Sequence, residues 1–166
     1  MIKKNDEHVW TSILVDFINK SKQADYQIVP ELEENSPVDM HLVSKTDTFP
    51  QMDLQLTHAI EVPFVALQEH MAVDYSMHPT VDAIERKRTK LTEQGADLSK
   101  IVLVVQGYMN QQMAMEAFTH EGFDKYKDYP FAGIYYVAPP MISAETNEFV
   151  QDGLVIAIKD FFENNN

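Results

Sequence analysis

The hydrophobic positions of the chain follow two periodicities, one typical of helices and one typical of strands. From Val9 to Ile18, apolar residues recur at i, i+1, i+4, i+5, i+8 and i+9, which predicts an amphipathic helix over about 6–21. Alternating stretches then predict strands at 26–32, 38–44 and 52–58. Pro30 favours an edge position or a bulge for the first strand, because proline cannot donate a ladder hydrogen bond.

The rest of the chain predicts helices alternating with strands. The segment 59–80 contains two prolines and room for a short helix at about 66–73, and a helix over 81–94 should end at Gly95. The β-branched run 101–105 is apolar on both faces, as in a central strand. A helix over 111–127, a strand over 131–137 and a last helix over about 143–162 complete the prediction. This order indicates a single α/β domain over 1–166, with a mixed sheet of about five strands flanked by helices.

Composition narrows the functional classes. The chain has 166 residues, with 13 basic and 26 acidic side chains, a net charge of −13 and no cysteine. The missing cysteines exclude disulfides, thiolate zinc sites and iron–sulfur clusters. The acidic balance argues against unaided nucleic-acid binding, since phosphate contacts supply most of such affinity. No apolar run has the length of a membrane span and no signal peptide is recognised, so we expect a cytoplasmic protein without membrane contact.

Three polar residues of the second and third predicted strands carry the candidate chemistry. Asp39 lies near the end of one strand, and Asp53 and Gln55 share one face of the next, across a predicted hairpin. Carboxylate and amide oxygens are hard ligands that suit Mg²⁺ or Mn²⁺, which can activate water and stabilise a phosphodiester in transit. The competing interpretation is a solvated strand face, because two aspartates at this spacing are common in acidic chains.

Spacing and element order together resemble the PD-(D/E)XK nuclease superfamily, the restriction-endonuclease-like fold. The resemblance covers an αβββαβ core over about 5–108, with a helix–strand–helix extension over about 109–166. It implies that Asp39 and Asp53 are metal ligands and that Gln55 stands in place of the motif lysine. In an alternative register, Gln55 takes the D/E position and Thr57 the lysine position. A further carboxylate would come from one of four glutamates: Glu7, Glu31, Glu33 or Glu34.

Basic residues on the helix after the third strand offer a replacement for the missing lysine. Lys87 or Arg88, three and four positions beyond Ile84, could lean toward the sheet. The competing interpretation is a solvent-exposed charged face. Histidines 58, 70, 78 and 120 show no ligand spacing, and we expect structural or surface roles for them.

Two functional hypotheses follow. One is a metal-dependent phosphodiesterase acting on DNA or RNA. The other is a catalytically silent protein of the same fold that serves as an interaction module. The long, apolar segment 59–80 further predicts a homodimer that uses either this segment or the C-terminal helix.

Overall fold

The computed structural model describes residues 2–59, 78–109, 111–121, 126–142 and 145–163. Three α-helices and two short 3₁₀ helices occur in these ranges. The α-helices are α1 (Ile2–Lys22), α2 (His78–Glu93) and α3 (Gln111–Glu121), and the 3₁₀ helices are Leu98–Lys100 and Phe161–Glu163. The strands are β1 (Tyr26–Pro30), β2 (Met40–Ser44), β3 (Met52–His58), β4 (Ile101–Gln106), β5 (Gly133–Ala138), β6 (Met141–Ile142), β7 (Phe149–Gln151) and β8 (Leu154–Lys159).

Six of these strands form one mixed sheet in the order β1-β2-β3-β4-β5-β8. The strands β1, β2 and β3 are antiparallel neighbours, β3, β4 and β5 are parallel, and β8 returns antiparallel to β5. The predicted α/β class with a mixed, helix-flanked sheet is therefore confirmed. The strand β1 lies at an edge, as Pro30 predicted.

The hydrophobic run of β4 explains its place inside the sheet. All six of its residues are buried, and it pairs with β3 on one side and β5 on the other. A strand covered on both faces needs apolar side chains in both directions, and β-branched residues pack well there. The prediction of a central strand at this position is confirmed.

The sheet separates two hydrophobic cores. On one face, α1 packs Trp10, Leu14 and Ile18 with Leu54 of β3. On the other face, α2 and α3 pack against the odd-numbered residues of β4 and the even-numbered residues of β5. Since side chains alternate along a strand, Met52, Leu54 and Leu56 turn toward α1 while Asp53, Gln55 and Thr57 turn toward α2. The polar face of β3 is therefore the face that α2 covers.

The predicted C-terminal helix over 143–162 is wrong. That part of the chain contains β7 and β8 instead, so the sheet has six strands rather than about five. Gly153 interrupts the helical pattern, and the run 154–158 is rich in β-branched residues, which favour strands. Pairing with β5 then decides the outcome in favour of β8.

Other boundaries differ by a few residues. β1 ends at Pro30 rather than at residue 32, β2 begins at Met40 rather than at 38, and α3 ends at Glu121 rather than at 127. Gly95, with φ of 75°, ends α2 as predicted, and Ala96 N–H donates to the Leu91 carbonyl. The predicted short helix at 66–73 lies outside the described residues.

Within the described ranges, no helix combines the length and the apolar character needed to cross a membrane.

Close packing at Gly133 generates a stability prediction. A Cβ atom there would lie 3.0 Å from Phe161 Cβ, 3.2 Å from the Phe161 nitrogen and 3.3 Å from the Lys159 carbonyl oxygen. Two of these atoms belong to the backbone and cannot rotate away. We expect Gly133→Ala to lower the free energy of unfolding by about 1–3 kcal/mol in a denaturant titration.

Gly95→Asn is the matched control for that substitution. The position has no atom within 4 Å of the added Cβ, and asparagine tolerates its positive φ. We expect a loss below about 1 kcal/mol. Equal losses in the two variants would show that Gly133 is not packed as described.

Candidate functional site

The site lies at the start of β2, where β3 extends past the first residue of β2 and is paired only with β4 on its other side. The Asp39 N–H donates to the Leu54 carbonyl at 2.8 Å, and Met40 pairs with Leu54 as the first residue of β2. Beyond this point, the Asp39 carboxylate replaces the missing strand. Its Oδ2 accepts the Leu56 N–H at 2.8 Å. Asp39 therefore completes the hydrogen bonding of β3 with a side chain, because a buried main-chain N–H without a partner is costly.

Gln55 provides the second half of this arrangement. Its buried amide nitrogen donates to Asp39 Oδ2 at 2.7 Å and to the Leu56 carbonyl at 3.1 Å. Both donors of the amide are thus used, and both main-chain polar groups of Leu56 are bonded by side chains. We call Asp39, Gln55 and the Leu56 main chain the strand-end site.

The Asp39 carboxyl is electrostatically perturbed. Burial raises the pKa of Asp39 above its ordinary value, while the Leu56 N–H and the charges of Lys87 and Lys90 oppose this increase. Both lysines belong to α2, which covers this face of the sheet. A carboxylate and ammonium groups therefore interact across the gap between β3 and α2.

Lys87 of α2 has a shifted pKa as well, and Asp39 of the strand-end site contributes to that shift. Burial lowers the pKa of Lys87, and the like charges of Lys90 and Arg86 lower it further, whereas Asp39 and Glu7 raise it. Arg88 has other partners. Its Nη1 lies 3.8 Å from Glu85 Oε1, and its Cζ lies over the Tyr129 ring, 5.4 Å from the ring centroid. Of the two predicted alternatives, Lys87 is the one whose charge acts on Asp39.

Asp53 belongs to a different group of side chains. His41 Nδ1 lies 2.7 Å from Asp53 Oδ1, and His41 Nε2 lies 2.8 Å from Glu31 Oε2. Gln51 also donates to Asp53 Oδ1, at 2.8 Å. We call Glu31, His41, Gln51 and Asp53 the histidine cluster. It links the loop after β1 to β2 and β3.

The sequence analysis missed His41. The signal was present, because His41 and Asp39 occupy alternate positions of the second predicted strand and therefore share a face. The register that places His41 directly opposite Asp53 completes the cluster. Although burial lowers the pKa of His41, hydrogen bonds and charges from Asp53 and Glu31 outweigh it, and the net pKa is raised.

The predicted residues therefore fall into two groups. Asp39 and Gln55 are brought together, while Asp53 is bonded to His41 and Gln51. This pairing corresponds to the alternative register, in which Gln55 is the cross-strand neighbour of Asp39 and Thr57 follows on the same face. Among the glutamates, Glu31 bonds His41, Glu7 acts on Lys87, and the side chains of Glu33 and Glu34 are exposed.

The oxygens of the strand-end site are of the kind that Mg²⁺ or Mn²⁺ prefers. They are the Asp39 carboxylate, the Leu56 carbonyl and the side-chain carbonyl of Gln55. Across the part of the chain that the structure describes, no group of three or more histidine, aspartate or glutamate side chains has the arrangement of a metal site. Any cation here would depend on carbonyl oxygens as well as on Asp39.

His58 supports the expectation of a surface role. It is exposed, and its ring meets the Trp10 ring edge-on at a centroid distance of 6.4 Å. It projects toward the α1 face, away from Asp53, Gln55 and Thr57. His70 lies outside the described residues.

Comparison of the chain with family models, with curated proteins and with solved structures gives no match.

The raised pKa of Asp39 predicts a stabilising substitution. When the pKa of an acid is higher in the folded chain than in the unfolded chain, ionisation of that acid destabilises the fold. The free energy of unfolding therefore falls as the pH rises from about 3.8 through the folded pKa of Asp39. Asp39→Asn retains one oxygen for Leu56 and Gln55 and removes the charge. We expect the free energy of unfolding to increase by about 1 kcal/mol at neutral pH, and the gain to vanish near pH 3.

Urea titrations at both pH values test this expectation, with Asp47→Asn as the control. Asp47 is exposed in the β2–β3 turn and has a positive φ that asparagine also tolerates. A loss of about 1 kcal/mol in Asp39→Asn would mean that the hydrogen bonds require a full carboxylate.

The histidine cluster predicts a second pH dependence. The raised pKa of His41 adds stability that is complete below about pH 6.5 and is lost as the pH rises through the folded pKa. Hydrogen bonds from the Glu33 N–H and His41 lower the pKa of Glu31, whose contribution is complete above about 4.5 and is lost in acid. The histidine cluster therefore contributes most to the free energy of unfolding between about pH 4.5 and pH 6.5.

We expect His41→Gln to unfold more easily than the wild type at about pH 5.5, by roughly 0.5 kcal/mol because solvent screens the partly exposed pairs. Near pH 9 the difference should disappear. Lys45→Gln, on the same hairpin and exposed, controls for a lost charge. A pH-independent difference between His41→Gln and the wild type would argue against the charged cluster.

Proposed function

We propose that this protein is a divalent-metal-dependent phosphodiesterase with a degenerate nuclease site, acting on nucleic acid. The observation that carries the proposal is the Asp39–Gln55 pair at the end of β2, with Lys87 of α2 acting on the same carboxylate. Perturbed acids and bases that face one another across a cleft are typical of functional sites.

The order of elements supports the restriction-endonuclease-like part of this proposal. Among the described residues from α1 to β4, the order is helix, three antiparallel strands, helix and parallel strand, which is the αβββαβ order that the resemblance implies. In the proposed enzyme, Gln55 occupies the D/E position and Thr57 the lysine position. Lys87 then supplies from α2 the positive charge that Thr57 cannot supply.

Asp39, the Leu56 carbonyl and the Gln55 side-chain carbonyl would hold the cation. The Gln55 amide must turn over for this, because its nitrogen now donates to the other two oxygens. Bound Mg²⁺ or Mn²⁺ would supply Lewis-acid stabilisation of the phosphate charge. The Lys87 ammonium would orient the attacking water and stabilise the negative charge that develops on the phosphate.

A second candidate function is favoured by the present state of Gln55. Its amide donors satisfy Asp39 and Leu56 without a cation, and the chain carries a net charge of −13. Both features suit a catalytically silent protein that binds another protein. We include a homodimer in this alternative. Most of segment 59–80 lies outside the described residues, and β7 and β8 replace the C-terminal helix that we expected as the other interface.

Calorimetric titration of Mn²⁺, together with cleavage of labelled single-stranded and duplex oligonucleotides, separates the two candidates. For the enzyme, we expect Mn²⁺ binding to the wild type and none to Asp39→Asn, whose cleavage rate should fall by at least about a hundredfold. Lys87→Gln should still bind Mn²⁺ and lose about a hundredfold in rate.

Arg88→Gln is the matched control, because Arg88 neighbours Lys87 on α2 but is held by Glu85 and Tyr129. It should retain both binding and cleavage. Absence of Mn²⁺ binding, or binding that Asp39→Asn leaves unchanged, would remove the enzyme and leave the interaction module.

A further inference from the structure

A pocket of about 490 Å³ opens beside the start of β3. Its lining includes Asp53, Ser99, Lys100, Pro130, Lys159 and Phe161. These residues come from the start of β3, the 3₁₀ helix before β4, the turn before β5, the end of β8 and the 3₁₀ helix that follows it. The volume lies within the range of small-molecule sites, which is about 300–1,000 Å³.

Asp53 connects this pocket to the strand-end site. Asp53 and Gln55 lie two residues apart on the same face of β3, which places them about 7 Å apart along the strand. On α2, Lys87 and Lys90 are one turn apart, and both act on Asp39. A nucleic-acid backbone that contacts Gln55 and extends along β3 toward Asp53 would therefore reach the opening of the pocket.

The polar groups of the pocket have free hydrogen-bonding capacity toward it. Lys159 Nζ donates to the Tyr129 carbonyl at 2.6 Å, which uses one of its three donors within the described residues. Both hydrogen bonds to Asp53 in those ranges reach Oδ1, so Oδ2 remains an acceptor. The pocket thus presents a cation on one wall and a carboxylate oxygen on another.

Nearby acids limit how strongly the pocket attracts a bare anion. Asp97 lies 3.7 Å from Lys100 Nζ, and the charge of Asp128 acts on Lys159. A ligand must therefore gain affinity from contacts other than charge. Pro50 and Pro130 offer exposed apolar surface for a ring, and the Asp53 oxygen offers an acceptor for hydroxyl or amino groups.

We propose that this pocket binds one unpaired nucleotide, with the phosphate at Lys100 and Lys159, the base against Pro50 and Pro130, and a sugar hydroxyl or base amino group at Asp53. The placement of that nucleotide next to a cleaved bond rests on the proposed function. A base that enters a pocket is not paired with a second strand, so the proposed substrate class is single-stranded nucleic acid.

Backbone NMR titration tests the pocket without requiring catalysis. Adenosine and uridine monophosphate are added to the full-length protein, with adenosine and inorganic phosphate as separate arms. We expect the monophosphates to shift the amides of Ser99, Lys100, Ala132 and Phe161, with inorganic phosphate at least about tenfold weaker. Lys159→Gln and Lys100→Gln should each weaken nucleotide binding about tenfold, and Lys45→Gln should not.

Thermal melts of each variant show whether it is folded, and Lys100→Gln serves if Lys159→Gln unfolds, since Lys100 is exposed. No shift of these amides at about 10 mM nucleotide, or equal weakening by Lys45→Gln, would overturn the proposal. Nucleotide binding without Mn²⁺-dependent cleavage would uphold the pocket and reject the phosphodiesterase. Cleavage without these shifts would do the reverse.

Discussion

The difference in length between β2 and β3 is the constraint on which the candidate site depends. β2 begins opposite Leu54, so Leu56 has a main-chain N–H and carbonyl that face no residue of β2. The fold satisfies both with side chains, Asp39 for the N–H and Gln55 for the carbonyl. A polar pair is thereby fixed at a buried position, because leaving main-chain groups unpaired would cost more than burying the pair.

That structural role explains why the same geometry supports both candidate functions. A side-chain oxygen that completes a strand end serves the fold whether or not a cation binds, so Asp39 alone does not distinguish enzyme from interaction module. Lys87 is the residue whose role separates them, because a half-buried ammonium beside Asp39 would serve the proposed enzyme and takes no part in the hydrogen bonding of Leu56.

The sequence predicted what local pattern determines. Strand alternation over 52–58 correctly placed Asp53 and Gln55 on one face, and the apolar run 101–105 correctly indicated a central strand. The prediction failed where strand pairing determines the secondary structure. The segment 143–162 has helical features, but β5 offers an edge that β8 completes. His41 gained its meaning from its register with Asp53, and the position of α2 over the sheet selected Lys87 from the two basic candidates, Lys87 and Arg88.

The alternation of β3 also limits how such a site can change. A shift of one residue in this strand would turn Met52, Leu54 and Leu56 out of the α1 core and bring Asp53, Gln55 and Thr57 into it. Single-residue insertions or deletions in β3 are therefore excluded by the core. A functional group on the polar face of this strand can move only by two residues at a time, among 53, 55 and 57, and a replacement from a helix would come from α2, which covers that face.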